Sequence, residues 1–333
     1  MTTAVRLRSL CILALLLSCL NCKGQSREEV AAPIRIYRFD KELFRLVESE
    51  NDAAIQGELL CDYPEMLEVL GKGVFNMQTT ETPGFFTRIV NYYSEPTLRS
   101  LYRDALAVYD SIPGIEQELG EAFARLRTLL PLLNMPPRVY MHVSGFGQNI
   151  LAAEKALSVS IDRYMGRDYP LYARFFNPQQ AERMQPALIV PDYLAGWLMS
   201  EYPFAGREDV PLDRMIYEGK IKYLVAQAMP ELPQHTLMGW SAESLGWYIN
   251  NEAKLWKIVA NGMNMPNPYV MQSFFDESPA TFLSADAPAG APGLWFGLRI
   301  VELYMKETNA SPEALMATNN AQEILSKSKY KPL

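Results

Sequence analysis

Apolar positions recur every three or four residues along most of this chain, the spacing of helices that bury one face. Only short stretches depart from it. Ile34-Arg35-Ile36-Tyr37-Arg38-Phe39 alternates and predicts a strand, and Asp40 behind it predicts an N-cap for a helix carrying Leu43, Phe44 and Leu46. A helical pattern follows to about residue 130, broken by Pro64, Gly71, Gly73, Pro83-Gly84 and Pro113-Gly114. Leu119, Phe123, Leu126 and Leu130 mark one amphipathic helix within it. Pro136-Pro137 stops this run. Arg138 to Val143 is strand-like, Ser144-Gly145-Phe146-Gly147 is a turn, and Ala156 to Ile161 alternates again, so a small sheet is expected over 136–162. The remainder predicts helices near 188–201, 212–229, 241–260, 294–307, 312–318 and 321–327, with Ser311-Pro312 as a capped start. The fold class expected is α+β, mostly α-helical with a small β-sheet, and residues 34–333 are expected to form one domain.

The first residues follow a different pattern. Arg6 and Arg8 precede an apolar run from Leu10 to Leu17, shorter than a permanent membrane span and of the length of a secretory signal core. Leu16-Leu17-Ser18-Cys19 then resembles a bacterial lipobox. Residues 1–18 are expected to be a signal peptide and 19–33 a tether, with Cys19 acylated by palmitate-class chains. Each buried methylene contributes about 0.8 kcal/mol, so such a group holds a folded domain to a membrane leaflet. Leu20, Asn21, Cys22 and Lys23 include no acidic cluster, and the expected location is the cell envelope on its periplasmic side.

Composition narrows the partners. The 333 residues carry a net charge of −7, and loss of Arg6 and Arg8 makes the remainder about −9. Without basic clusters this argues against nucleic acid and against electrostatic docking to anionic lipid, which leaves the acyl chain and other envelope proteins as partners. Cys22 and Cys61 remain once Cys11 is removed and Cys19 acylated. Cys22 sits in the tether, so a disulfide is not expected, and Cys61 reads as a small buried apolar residue.

Candidate chemistry is sparse. His142 and His235 are the only histidines and lie far apart, no His-Glu-x-x-His helix occurs, and no metal or other cofactor is expected. Ser144 lies in a strand-to-turn segment two residues after His142, yet the Gly-x-Ser-x-Gly elbow is not met, and a tight turn is the better reading. Trp197, Trp240, Trp247, Trp256 and Trp295 read as core before cleft. Two predicted helices stand out. Met215, Ile216, Gly219, Tyr223 and Ala226 form a stripe on the first, with Lys220 on the same side, while Glu218 and Lys222 read as a solvated surface pair. Leu245, Tyr248, Ile249, Leu255, Trp256 and Val259 form the stripe of the second, with Glu252 inside it. A buried charge without a partner is costly, so Lys220 and Glu252 are expected to meet as a buried polar pair, or else to reach past the core edge to water. Tyr217, Glu218, Tyr223 and Trp256 are expected to line a pocket around the pair.

Several segments in order carry a family resemblance. They are the lipobox, Ile36-Tyr37-Arg38-Phe39-Asp40 with Leu43-Phe44, Val143-Ser144-Gly145-Phe146, and Ser160-Ile161-Asp162-Arg163-Tyr164-Met165-Gly166. Tyr217-Glu218-Gly219-Lys220-Ile221-Lys222-Tyr223, Trp247 with Asn251-Glu252 and Trp256, Gly293-Leu294-Trp295-Phe296-Gly297, Gln322-Glu323-Ile324-Leu325 and Ser328-Lys329-Tyr330 complete the set. Together they resemble the gliding motility lipoprotein GldB of Bacteroidetes. The resemblance implies an envelope lipoprotein associated with gliding and its linked secretion apparatus, and a distant likeness to zincin-type peptidases. On that likeness Tyr217–Ile221 occupies the metal helix and Asn251-Glu252 the later ligand helix, both without the metal-binding histidines. The function expected is non-catalytic binding or assembly. The alternatives are a zincin-like hydrolase using Glu218 or Glu252 as general base, and a binding module for lipid or peptidoglycan fragments.

Overall fold

A computed structural model describes residues 31–276 and 278–332, so the expected signal peptide, Cys19 and Cys22 lie outside the described residues. Residues from Ala32 onward cluster as one unit. The chain opens with β1 (Ile36–Tyr37), followed by α1 (Phe39–Glu48), α2 (Ala53–Asp62), α3 (Pro64–Phe75), α4 (Phe85–Tyr93), α5 (Pro96–Val108) and α6 (Pro113–Leu129). Next come β2 (Val139–His142), β3 (Ile150–Ala153) and β4 (Ala156–Ser160), then two short helices, α7 (Tyr172–Phe175) and α8 (Pro178–Glu182). The C-terminal half comprises α9 (Ile189–Glu201), α10 (Pro211–Ala228), α11 (Gln234–Met238), α12 (Ala242–Gly262), α13 (Pro268–Phe275), α14 (Pro292–Thr308), α15 (Pro312–Ala317) and α16 (Ala321–Ser328). The mostly helical α+β class expected from the pattern is what the chain adopts.

The strands form one mixed sheet in the order β1-β2-β4-β3. β1, β2 and β4 run parallel, Ile36 opposite Val139 and Val139 opposite Leu157, while β3 returns antiparallel to β4. Every residue of β2 and β4 is buried, as expected when helices cover both faces. Neighbouring residues of β3 show which helices do so. A side chain at Gly73 of α3 would collide with Leu151, and one at Gly196 of α9 would lie 2.6 Å from Ile150. Successive strand residues point to opposite faces, so α3 and α9 sandwich the sheet.

The strand predicted over 34–39 shortens to two residues, and Asp40 is not the cap of α1. Arg38 occupies that position without a capping bond, and Asp40 sits in the first turn, fully buried. Its carboxylate accepts from Arg38 Nε at 2.9 Å and Nη2 at 2.6 Å, and Tyr102 donates to its carbonyl at 2.9 Å. Burial raises its pKa, with Arg38 pulling the other way. An arginine two residues before Asp40 turned the expected capping carboxylate into half of an ion pair. Cys61, read as buried, is exposed, because α2 turns only Leu59 fully into the core.

The turn after β2 is built around Asp162. Gly145 and Phe146 both adopt left-handed backbone, with φ of 70° and 67°, a conformation costly for a phenylalanine unless neighbours hold it. Asp162 supplies that hold. Its carboxylate accepts from the amides of Phe146 at 2.7 Å and Ser144 at 3.2 Å, and from the Ser160 hydroxyl. Burial pushes its pKa up while these donors pull it down. Asp162→Ala removes the acceptor of the Phe146 amide and leaves the Ser144 amide and the Ser160 hydroxyl with one acceptor each, in place of two. The expected loss is about 3 kcal/mol of unfolding free energy, read by urea denaturation; a loss under about 0.5 kcal/mol would show that the turn holds itself.

Candidate functional site

α10 and α14 cross at two glycines. A side chain on Gly219 would sit on the carbonyl of Gly297, and one on Gly297 would sit on the carbonyl of Met215. The backbones therefore touch, which only residues without a Cβ allow. This crossing leaves α10 buried nearly all round, including Met215, Ile216, Glu218, Lys220, Ile221 and Lys222. The single stripe expected from the sequence was too narrow.

Lys220 and Glu252 do not meet. Lys220, 5% exposed, donates to the backbone carbonyl of Thr318 at 2.5 Å. Glu252 of α12 accepts from Arg299 Nε of α14 at 3.2 Å and from the Tyr330 hydroxyl at 2.5 Å. The expectation of a buried pair is thus corrected: each charge found a partner brought in by the C-terminal segments. Glu218 and Lys222 are likewise not a solvated pair. Both are 8% exposed; Arg214 Nε donates to Glu218 at 2.8 Å, and Lys222 Nζ donates to the Leu237 carbonyl at 2.8 Å. Both lysines thus reach carbonyls at or just past the C-terminal ends of short helices, α15 and α11, where the peptide dipoles favour a cation.

The residues expected around the pair divide between two places. Tyr217 stays with Lys220, its hydroxyl donating to the Tyr202 carbonyl at 3.0 Å and its ring edge-on to Phe204. Both line a cavity of about 230 Å³ with Ile216, Met316, Thr318 and Asn319. Trp256 stays with Glu252, packed edge-on against Tyr330 at 4.8 Å. Tyr223 is half-buried against the core, its pKa raised chiefly by burial. Of the tryptophans, Trp197 and Trp295, each 1% exposed, and Trp240, 8% exposed, are core as expected.

Trp240 marks a region the sequence reading left without a site. It stacks on Tyr248 at 4.5 Å and lines a cavity of about 420 Å³ with Arg183, Ser241, Ser244 and Gly290. A second cavity of about 350 Å³ shares Glu182, Gly239, Trp240 and Ser241 and adds Arg167, Gln185 and His235. The two form one groove at the N-terminal end of α12. Residues 178–183 and 279–291 carry no periodic pattern, and the run Ala285 to Gly293, rich in Ala, Pro and Gly, was the one available signal of an irregular wall.

The serine and histidines are placed apart. Ser144 is 1% exposed and hydrogen-bonded to Ser160 Oγ at 2.8 Å, inside the turn described above. His142 is fully buried, with Nδ1 2.7 Å from Ser158 Oγ. Among the described residues, no three His, Cys, Asp or Glu side chains group so as to hold a metal ion, and no helix is long and apolar enough to cross a membrane.

The family of gliding motility protein GldB matches residues 22–332. The chain belongs to the GldB family. It is therefore grouped with gliding-motility-associated lipoproteins of the cell envelope. A comparison with curated proteins gave no match, and neither did one with solved structures. The zincin-like part of the resemblance finds no support in these comparisons. In this GldB chain the segment set on the metal helix, Tyr217–Ile221, instead supplies Gly219 to the helix crossing and Lys220 to Thr318.

Proposed function

We propose that the chain is a non-catalytic binding component of the envelope, held to a membrane by acyl chains on Cys19, facing the periplasm and acting by keeping a protein partner in place. One observation carries this reading. The carboxylates that an acid–base mechanism would draw on, Glu218 and Glu252, are each engaged by an arginine, Arg214 at 2.8 Å and Arg299 at 3.2 Å. A general base must reach substrate, and both carboxylates are instead turned inward onto their arginines, with side chains only 11% and 15% exposed. The groove at Trp240 offers what recognition needs: an aromatic floor, arginines at its edge and hydroxyls at a helix end.

Cross-linking in native membranes tests this. A photoreactive residue at Ser244, on the groove wall, is expected to capture a defined envelope protein, and one at exposed Glu81 is not. Stoichiometric zinc in protein purified without chelators, with peptidase activity that Glu252→Gln removes while the fold persists, would overturn the reading in favour of a hydrolase.

A further inference from the structure

The cavity beside Tyr217 holds a cation without a counter-ion. We propose that it binds a small carboxylate with an apolar tail, the head seated between the Lys220 ammonium and the first turn of α16. An ammonium has three donors. One goes to the Thr318 carbonyl, and no described residue accepts from the other two. A carbonyl carries only a partial charge, and a buried cation calls for a full one. Burial alone acts on this lysine, holding its pKa down at about 8.

The carboxylates that line the cavity, Asp213 and Glu201, have other partners, and neither forms an ion pair with Lys220. Asp213 accepts from Arg207 Nε at 2.9 Å and Nη2 at 3.1 Å, and Glu201 accepts from Asn134 at 3.0 Å. A second donor set lies beside the same space. α16 starts at Ala321, which lines the cavity next to Asn319. The Asn320 side chain satisfies the Glu323 amide at 3.2 Å. The amides of Ala321 and Gln322, in the first turn, have no acceptor within the helix, and the helix dipole favours an anion there.

Shape sets the ligand class. One ammonium and one helix end suit a monoanion; a phosphate draws a denser set of donors, commonly arginine. Phe204, Ile216, Tyr217 and Met316 supply apolar walls. The volume of about 230 Å³ equals that of roughly eight waters, room for about a dozen heavy atoms. A free acid and the terminal carboxylate of a peptide share this chemistry. No lining residue is common to the Trp240 groove, so failure here leaves the partner-binding reading standing.

Calorimetry on the full chain with 3-phenylpropanoate and its neutral amide tests the site, alongside a tripeptide ending in phenylalanine with its C-terminus free or amidated. At least one of the two carboxylates is expected to bind, about tenfold or more tighter than its amide. The carboxylate that binds identifies the source. Lys220→Met is expected to remove that preference. Should this variant not fold, NMR of the Lys220 side chain in the wild-type protein decides: saturating carboxylate raises its titration midpoint. Acid and amide binding alike, no binding up to about 10 mM, a preference that survives Lys220→Met, or an unmoved midpoint would each overturn the proposal.

Discussion

Gly219→Ala is expected to cost about 3 kcal/mol or more of unfolding free energy, at or beyond the upper end of overpacking, because the added methyl meets backbone rather than a movable side chain. α10 cannot retreat from Gly297 without pulling Lys220 and Lys222 off their carbonyls, and α14 cannot retreat without moving Arg299 from Glu252. The same substitution elsewhere has the opposite sign. Gly246 lies within α12 with nothing within 4 Å of a Cβ built there. Gly246→Ala is therefore expected to stabilise by about 0.5–1 kcal/mol through helix propensity and unfolded-chain entropy. Urea unfolding of both variants checks the pair. Equal shifts would show that the helices cross at a wider separation than the glycines imply.

Acid is expected to destabilise the protein through His142. Burial holds its pKa at about 3 in the folded chain against an ordinary 6.5, outweighing the backbone carbonyl of Gln148. Between those values the unfolded chain binds a proton that the folded chain refuses, so stability falls as pH falls through that window. From pH 7 to pH 5 the loss is about 2 kcal/mol. Asp40 and Asp162, whose pKa values burial raises, act in the opposite sense above 3.8. The informative quantity is thus the difference between wild type and His142→Gln. The variant is expected to lose about 2 kcal/mol less over the same interval; parallel pH profiles would mean that His142 takes up its proton without unfolding.

Periodicity located the helices well where a single face repeats. The predicted 294–307 and 321–327 became Pro292–Thr308 and Ala321–Ser328. The three strand-like stretches all joined one sheet, though Ile36 and Tyr37 alone kept strand geometry at its edge. Charge pairing was not legible. A helical pattern shows which face Lys220 occupies but not which distant segment covers it, and Thr318 lies 98 residues away. Glu252 took Arg299 and Tyr330 for the same reason, across 47 and 78 residues. Lys222 looked solvated because helix α11, which covers it, is only five residues long and leaves almost no periodic trace. The Trp240 groove was hidden because its walls come from two five-residue helices, α8 and α11, and the irregular backbone of 279–291, none long or regular enough to leave a repeat to read.

Residues 32–36 are pinned along α6. Ile34 donates to the Glu116 carbonyl at 3.0 Å, Ile36 donates to the Glu116 carboxylate at 2.8 Å, and the Ala32 carbonyl lies where a side chain on Gly120 would go. Tension arriving from the N-terminal side is taken up by α6, a 17-residue rod rooted in the core through Leu119, Phe123 and Leu126, before it reaches the two-residue edge strand. A protein hung by one end under a moving load would be spared peeling of its sheet by that clamp.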